Sequence, residues 1–195
     1  MARFLFVARE AGTAALILIP LFCILHCIRF RNLKTTCAYT LFAVYLAGIY
    51  AVVGLPTAAY IRLEPNLNLI PFIGMLISPE NTILNVLLFL PLGLFLPLLW
   101  KPFRHPGRCV VFGTMLSLTI ELLQIFTFRA TDIDDVITNA LGTLIGWFFM
   151  SVLFKVRPAL RCSNRTSDLV IILGSVCFVM FFLHPYMSTF LLNHI

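Results

Sequence analysis

The sequence predicts an all-α fold: a polytopic transmembrane helical bundle of about six spans, with a re-entrant or interfacial segment between spans two and three. Three observations predict it. Of 195 residues, 61% are hydrophobic and 11% charged, whereas a soluble domain has about a quarter of its residues charged; mean hydropathy is +1.00. The apolar residues gather into runs of the length that a spanning helix needs, about 20 residues. Within each run polarity is continuous, whereas barrel strands would alternate. The whole chain, 1–195, reads as a single membrane domain.

Taken in order, the first span is Ala11–Ile28. Basic residues follow it directly and no small-residue cleavage site is present, so it reads as a retained helix and not a signal peptide. The second is Cys37–Leu55. Residues 56–81 are long for a connection, too apolar for a plain loop, and broken by Pro65, Pro71 and Pro79. Such a stretch lies at the interface or dips back, and at membrane depth its backbone needs polar cover, which Asn66, Asn68 and Asn81 can supply. The third span, Thr82–Trp100, has Asn85 at its outer end and is expected to kink at Pro91, Gly93 and Pro97. The fourth, fifth and sixth are Cys109–Phe128, Val136–Phe154 and Leu169–Leu192.

Net charge is +6. The basic residues sit in short loops beside apolar runs, which excludes a nucleic-acid surface and fits the positive-inside rule. Arg29, Arg31, Lys34, Lys101, Arg104, Arg108, Lys155, Arg157, Arg161 and Arg165 lie on one side; Arg3, Arg9, Arg62 and Arg129 lie on the other. The richer side is cytoplasmic by that rule, so both termini and the Asp-rich loop face outward, although Arg3 and Arg9 run against it. Cys27, Cys37, Cys109 and Cys162 fall near cytoplasmic ends, and Cys23 and Cys177 fall within spans. No cysteine lies in an outward loop, which argues against a disulfide framework. No Cys/His spacing suggests zinc, and His26 and His184, each alone, read as structural or interfacial.

The chemistry concentrates in Ile120–Gly146. A charge at membrane depth costs roughly 2.5–3.5 kcal/mol even on lenient scales. Residues three and four apart share a helix face. Thr114, Ser117, Glu121 and Gln124 therefore form one stripe, and Asp135, Asn139, Gly142 and Gly146 another. With Asn85, their depths match an outward-facing pocket shared by three helices. Glu121, out of water, is either a candidate general acid or base or a paired core residue. Asp132, Asp134 and Asp135 are candidate oxygen ligands for a divalent cation, or a solvated loop in which Asp135 caps the next helix. Arg129 is a candidate clamp for a phosphate or carboxylate. Asn85, Gln124 and Asn139 complete the candidate ligand-binding set. Gly142 and Gly146 read as helix packing.

At these residues the chain resembles the VanZ-like family. The matching pieces are N-x-I-P-F at Asn68, Ile70, Pro71 and Phe72; N-x-x-x-F-x-P-x-G at Asn85, Phe89, Pro91 and Gly93; S-x-x-x-E-x-x-Q at Ser117, Glu121 and Gln124; and R-x-x-D-x-D-D-x-x-x-N-x-x-G at Arg129, Asp132, Asp134, Asp135, Asn139 and Gly142. They span residues 68–147, and four in order are more specific than any one. The resemblance implies a multi-pass protein of the bacterial plasma membrane, linked to the cell envelope and to resistance to the glycopeptide teicoplanin. It does not define a molecular activity.

Three functions remain open on these grounds. One is recognition or processing of a lipid-linked or cell-wall head group in the outward pocket, with Glu121 and Asp135 as catalytic residues in the enzymatic version. The second is a small transporter or flippase. The third is a non-catalytic accessory subunit whose polar residues hold helices together. The partner common to all three is the lipid bilayer.

Overall fold

A computed structural model describes residues 2–63, 67–68, 70–127, 131–156, 163 and 165–194. Pro65, Asn66, Arg129, Arg157, Arg161 and Cys162 lie outside the described residues. Six helical stretches are long and apolar enough to cross a membrane: Ala8–Phe30, Leu33–Val53, Pro79–Leu99, Pro106–Gln124, Ile133–Val156 and Ser167–Leu191. These are the six expected spans. Their ends differ from the sequence reading. The fourth stops at Gln124 and not Phe128, because residues 125–127 form a turn in which Thr127 N–H donates to Gln124 O at 2.9 Å. The second stops at Val53, where Gly54 at φ 64° closes the helix. Apolar runs report the solvent around a segment, and they continue past a helix end into any turn that stays in lipid.

The chain divides into two compact units, Met1–Arg62 with Ser167–Ile195, and Leu63–Thr166. The first unit holds α1 (Ala2–Leu25), α2 (Leu33–Val53), α7 (Ser167–Phe178) and α8 (His184–His194). Ala14, Leu18 and Phe22, four apart on α1, are fully buried, and α1 packs on α2. Asn32 starts α2 by accepting the Thr35 N–H at 3.1 Å. Lipid tails are as apolar as leucine, so burial alone does not hold spans together; packing and polar bonds do. Two such bonds link distant parts of this unit. Arg29 Nε donates to Asp168 Oδ1 at 2.8 Å, and the Tyr39 hydroxyl reaches Asp168 Oδ2 at 3.4 Å. His184 is not alone as the sequence suggested: its Nε2 lies 3.3 Å from Glu10 Oε2, and Ser188 donates to Glu10 Oε1 at 3.3 Å. A π-helical turn, Val179–Leu183, joins α7 to α8. Pro185 has no N–H to give the Phe181 carbonyl, and that carbonyl takes the Ala58 N–H at 2.9 Å instead.

The second unit holds β1 (Leu67–Asn68), α3 (Ile73–Ile77), α4 (Pro79–Leu99), α5 (Pro106–Gln124), β2 (Thr131–Asp132) and α6 (Ile133–Val156). Here α4 and α6 meet backbone to backbone. A Cβ on Gly146 would strike the Leu90 carbonyl and lie 3.0 Å from Gly93 Cα; one on Gly93 would lie 2.8 Å from the Trp147 amide nitrogen. Gly142 presses on the Val86 main chain in the same way. Small residues let two helices approach this closely in lipid. The Gly113 surface of α5 receives the Thr143 side chain of α6. At the other end, Trp147 Nε1 donates to Arg104 O at 3.1 Å, and the Arg104 guanidinium lies 4.0 Å from the centre of the Phe154 ring.

Candidate functional site

The site is built around the turn from α5 into α6. β1 and β2 pair in parallel, Leu67 with Thr131 and Asn68 with Asp132. That pairing brings the segment before α4 onto the start of α6. Glu121, buried in the last turn of α5, accepts the Asp132 N–H at 2.8 Å through Oε2, and its own carbonyl accepts from Thr131 Oγ1 at 2.9 Å. A carboxylate at that position holds the loop against the helix that precedes it.

The three aspartates then point to different partners. Asp132 Oδ2 accepts from Asn68 Nδ2 at 3.0 Å, and its Oδ1 accepts the Asp134 N–H at 2.9 Å, a local turn that aspartate favours. Asp134 accepts the Phe72 N–H at 2.6 Å and the Met75 N–H at 3.1 Å. Phe72 sits at φ 70°, and this left-handed kink aims its amide at the carboxylate. Gly74 leaves room for the arrangement: a Cβ there would lie 2.9 Å from Asp132 Oδ2 and 3.0 Å from Asp134 Oδ2. Asp135, half-buried, accepts from Asn85 Nδ2 of α4 at 2.6 Å. One turn farther in, Asn139 Nδ2 donates to Ser117 Oγ at 2.9 Å, joining α6 to α5. Gln124, Asn139 and Ser117 are all buried.

Glu121, Asp132, Asp134, Asp135 and Asn85 are thus gathered at one end of the unit, with Gln124 and Asn139 buried on the facing sides of α5 and α6. Arg129 lies outside the described residues. Asp132 and Asp134 share the space over Gly74, while Asp135 reaches across to α4. Among the described residues, no group of three or more His, Cys, Asp or Glu side chains comes together with metal-holding geometry. The roles of the Phe72 and Met75 amides and of Gly74 were not visible in the sequence. Their one signal is the Pro71–Phe72 pair followed closely by a glycine.

Comparison with known proteins adds a family frame. The VanZ/LLP1 family model matches residues 42–155. Protein VanZ of Enterococcus faecium is 40% identical over 84 residues, covering 43% of this chain and 51% of that protein. The chain therefore spans about half the length of this curated relative. No solved structure matches. The matched region takes in every helix of the site, α4, α5 and α6.

Proposed function

The chain belongs to the VanZ/LLP1 family, and from that premise we propose that this multi-pass membrane protein recognises a lipid-linked or cell-wall head group at the carboxylate-bearing end of α4, α5 and α6. The loop charges support an outward position for that end, in a bacterial plasma membrane. The observation that carries the reading is the gathering itself: Glu121 from α5, Asp132, Asp134 and Asp135 from the start of α6, Asn85 from α4 and Asn68 from β1 meet around one short stretch. Ionisable side chains buried in a membrane domain, as Glu121 and Asp134 are, are costly and are functional-site candidates by default. In this reading Arg129 holds a phosphate or carboxylate and the carboxylates take a cationic group. In the enzymatic version Glu121 acts as acid or base, and Asp132, Asp134 and Asp135 carry a divalent cation. The link to glycopeptide resistance comes with the family and belongs to this proposal.

The test uses Glu121→Gln and Asp135→Asn in cells expressing the full chain. Both variants should insert at wild-type levels yet change glycopeptide susceptibility and the profile of lipid-linked wall intermediates. Wild-type behaviour on both readouts removes the reading. One observation favours a second reading, an accessory subunit without a site of its own: the Asp134 carboxylate accepts two main-chain amides, so it is already employed in architecture. A partner that copurifies with the wild type and is lost in Asp134→Ala would favour that second reading.

A further inference from the structure

We propose that the basic end of the second unit, opposite the carboxylates, binds an anionic phospholipid: its phosphate sits against Lys155 and Arg104, and an acyl chain runs along α6 over Val152 and Phe148. The carrying observation is that the fold draws like charges together. Residues 101–108 hold three basic side chains and residues 155–165 hold four, with no acidic one in either stretch. Ser163 ties two of these positions to one place. Its N–H donates to Leu99 O at 2.9 Å, its carbonyl accepts the Lys101 N–H at 3.0 Å, and its Oγ accepts the Arg165 N–H at 3.0 Å. Trp147 holds the carbonyl of a third, Arg104, whose guanidinium lies over the ring of Phe154, the neighbour of Lys155. Three separate segments thus bring Lys101, Arg104, Lys155 and Arg165 to one end of the unit. Glu80, Glu121 and the three aspartates belong to the opposite helix ends: the start of α4, the end of α5 and the segment that opens α6. Orienting a chain in a membrane needs basic residues only on the correct side. It does not need them gathered, which like charges resist. An anion from outside the chain relieves that repulsion.

The surface beside these charges selects the anion. Phe148, Val152 and Lys155 follow at helical spacing and share one face of α6, and all three are exposed. Followed toward the helix end, that face offers two apolar side chains and then a cation, which is the outline of a phospholipid. A lysine stem lies along apolar surface while its ammonium reaches the head-group level. Arg104 adds a planar group whose N–H donors match phosphate geometry. Trp147 beside it is the kind of aromatic residue that marks this level of a bilayer. Basic pockets between spanning helices on the cytoplasmic side take anionic head groups, and the loop charges assign this end to that side. A soluble phosphate matches the charge but leaves the apolar face unused; an anionic phospholipid matches both. The site is independent of the head-group reading above, which concerns the other end of the same helices.

Thermal unfolding of the full chain in a neutral detergent tests it, with titration of phosphatidylglycerol or of phosphatidylcholine bearing the same acyl chains. Phosphatidylglycerol should raise Tm in a saturable way, by about 5–10 °C at roughly 100-fold over Kd, and phosphatidylcholine should not. Lys155→Gln should weaken the apparent affinity for phosphatidylglycerol about tenfold or more, the loss of one charged hydrogen bond. Lys34→Gln removes an equal exposed charge from the first unit and should change that affinity less than about twofold, because salt screens distant charges. Glu121→Gln should keep the full response. Equal Tm shifts from the two lipids overturn the proposal. So do equal losses in Lys155→Gln and Lys34→Gln, the mark of diffuse attraction, and so does inorganic phosphate that reproduces the shift at the same concentration.

Discussion

Replacing Asp134 with alanine should unfasten the segment that precedes α4. Its carboxylate accepts two main-chain amides, Phe72 at 2.6 Å and Met75 at 3.1 Å, and the residue is 3% exposed. Hydrogen bonds to a charged group contribute about 1.5–3 kcal/mol each, so the pair has an upper value of about 3–6 kcal/mol. Phe72 is 59% exposed, and its amide finds water once released, which lowers the net loss to about 2–4 kcal/mol. That loss is local, because the glycine contacts between α4 and α6 do not involve Asp134. Hydrogen–deuterium exchange on the full chain in detergent reads it directly. The amides of Phe72 and Met75 should exchange about 30- to 800-fold faster in Asp134→Ala, the rate equivalent of that free energy. Asp134→Asn keeps one acceptor and should fall between. Unchanged exchange at these two amides would refute the reasoning, as would equal acceleration throughout α4, α5 and α6.

Four further substitutions probe what holds each unit together internally. Gly146→Ala places a methyl against the Leu90 carbonyl and Gly93 Cα, both main chain and unable to give way; it should cost about 1–3 kcal/mol and lower Tm by about 2–12 °C. Gly174→Ala, where nothing lies within 4 Å, is the control and should be neutral or stabilising; equal effects of the two would disprove the close-packing argument. Asp168→Ala removes the acceptor for Arg29 and Tyr39 and should cost about 1–3 kcal/mol in thermal unfolding, the lower end reflecting a guanidinium that can turn to water. Adding Arg29→Ala should then cost little more, and an additive second loss would show that the pair does not act as one.

Span length is fixed by the bilayer, and so continuous apolar runs made the six helices legible. Helical periodicity likewise identified faces: Ser117, Glu121 and Gln124 on α5, and Asn139, Gly142 and Gly146 on α6, are all buried. Thr114 is only half-buried, because its neighbour Gly113 takes the closest contact with α6. Periodicity fixes a face but not the neighbour that the face meets. Glu10 with His184, and Arg29 with Asp168, are pairs separated by most of the chain, and no local pattern announces them. The aspartates show the same gap. An acidic cluster looks identical in sequence whether it awaits a cation or accepts main-chain amides. The side-chain hydrogen bonds, and no local pattern, show that Asp134 serves Phe72 and Met75, and that Asp135, read as a cation ligand or a helix cap, reaches Asn85 of α4.

The glycine seam carries a consequence for biosynthesis. The two helices that fit most closely, α4 and α6, are not consecutive, and the contact of Val86 with Gly142 joins residues 56 positions apart. At a synthesis rate of about 5–20 residues per second, α4 waits roughly 3–11 s in the bilayer before its partner is made. Through that interval its Val86–Gly93 surface meets lipid or the insertion machinery, with α5 already beside it. The tightest joint of the unit is thus the last to close, which places quality control there. A chain whose seam is spoiled should insert all its helices normally and then be removed by membrane proteases as an unclosed bundle.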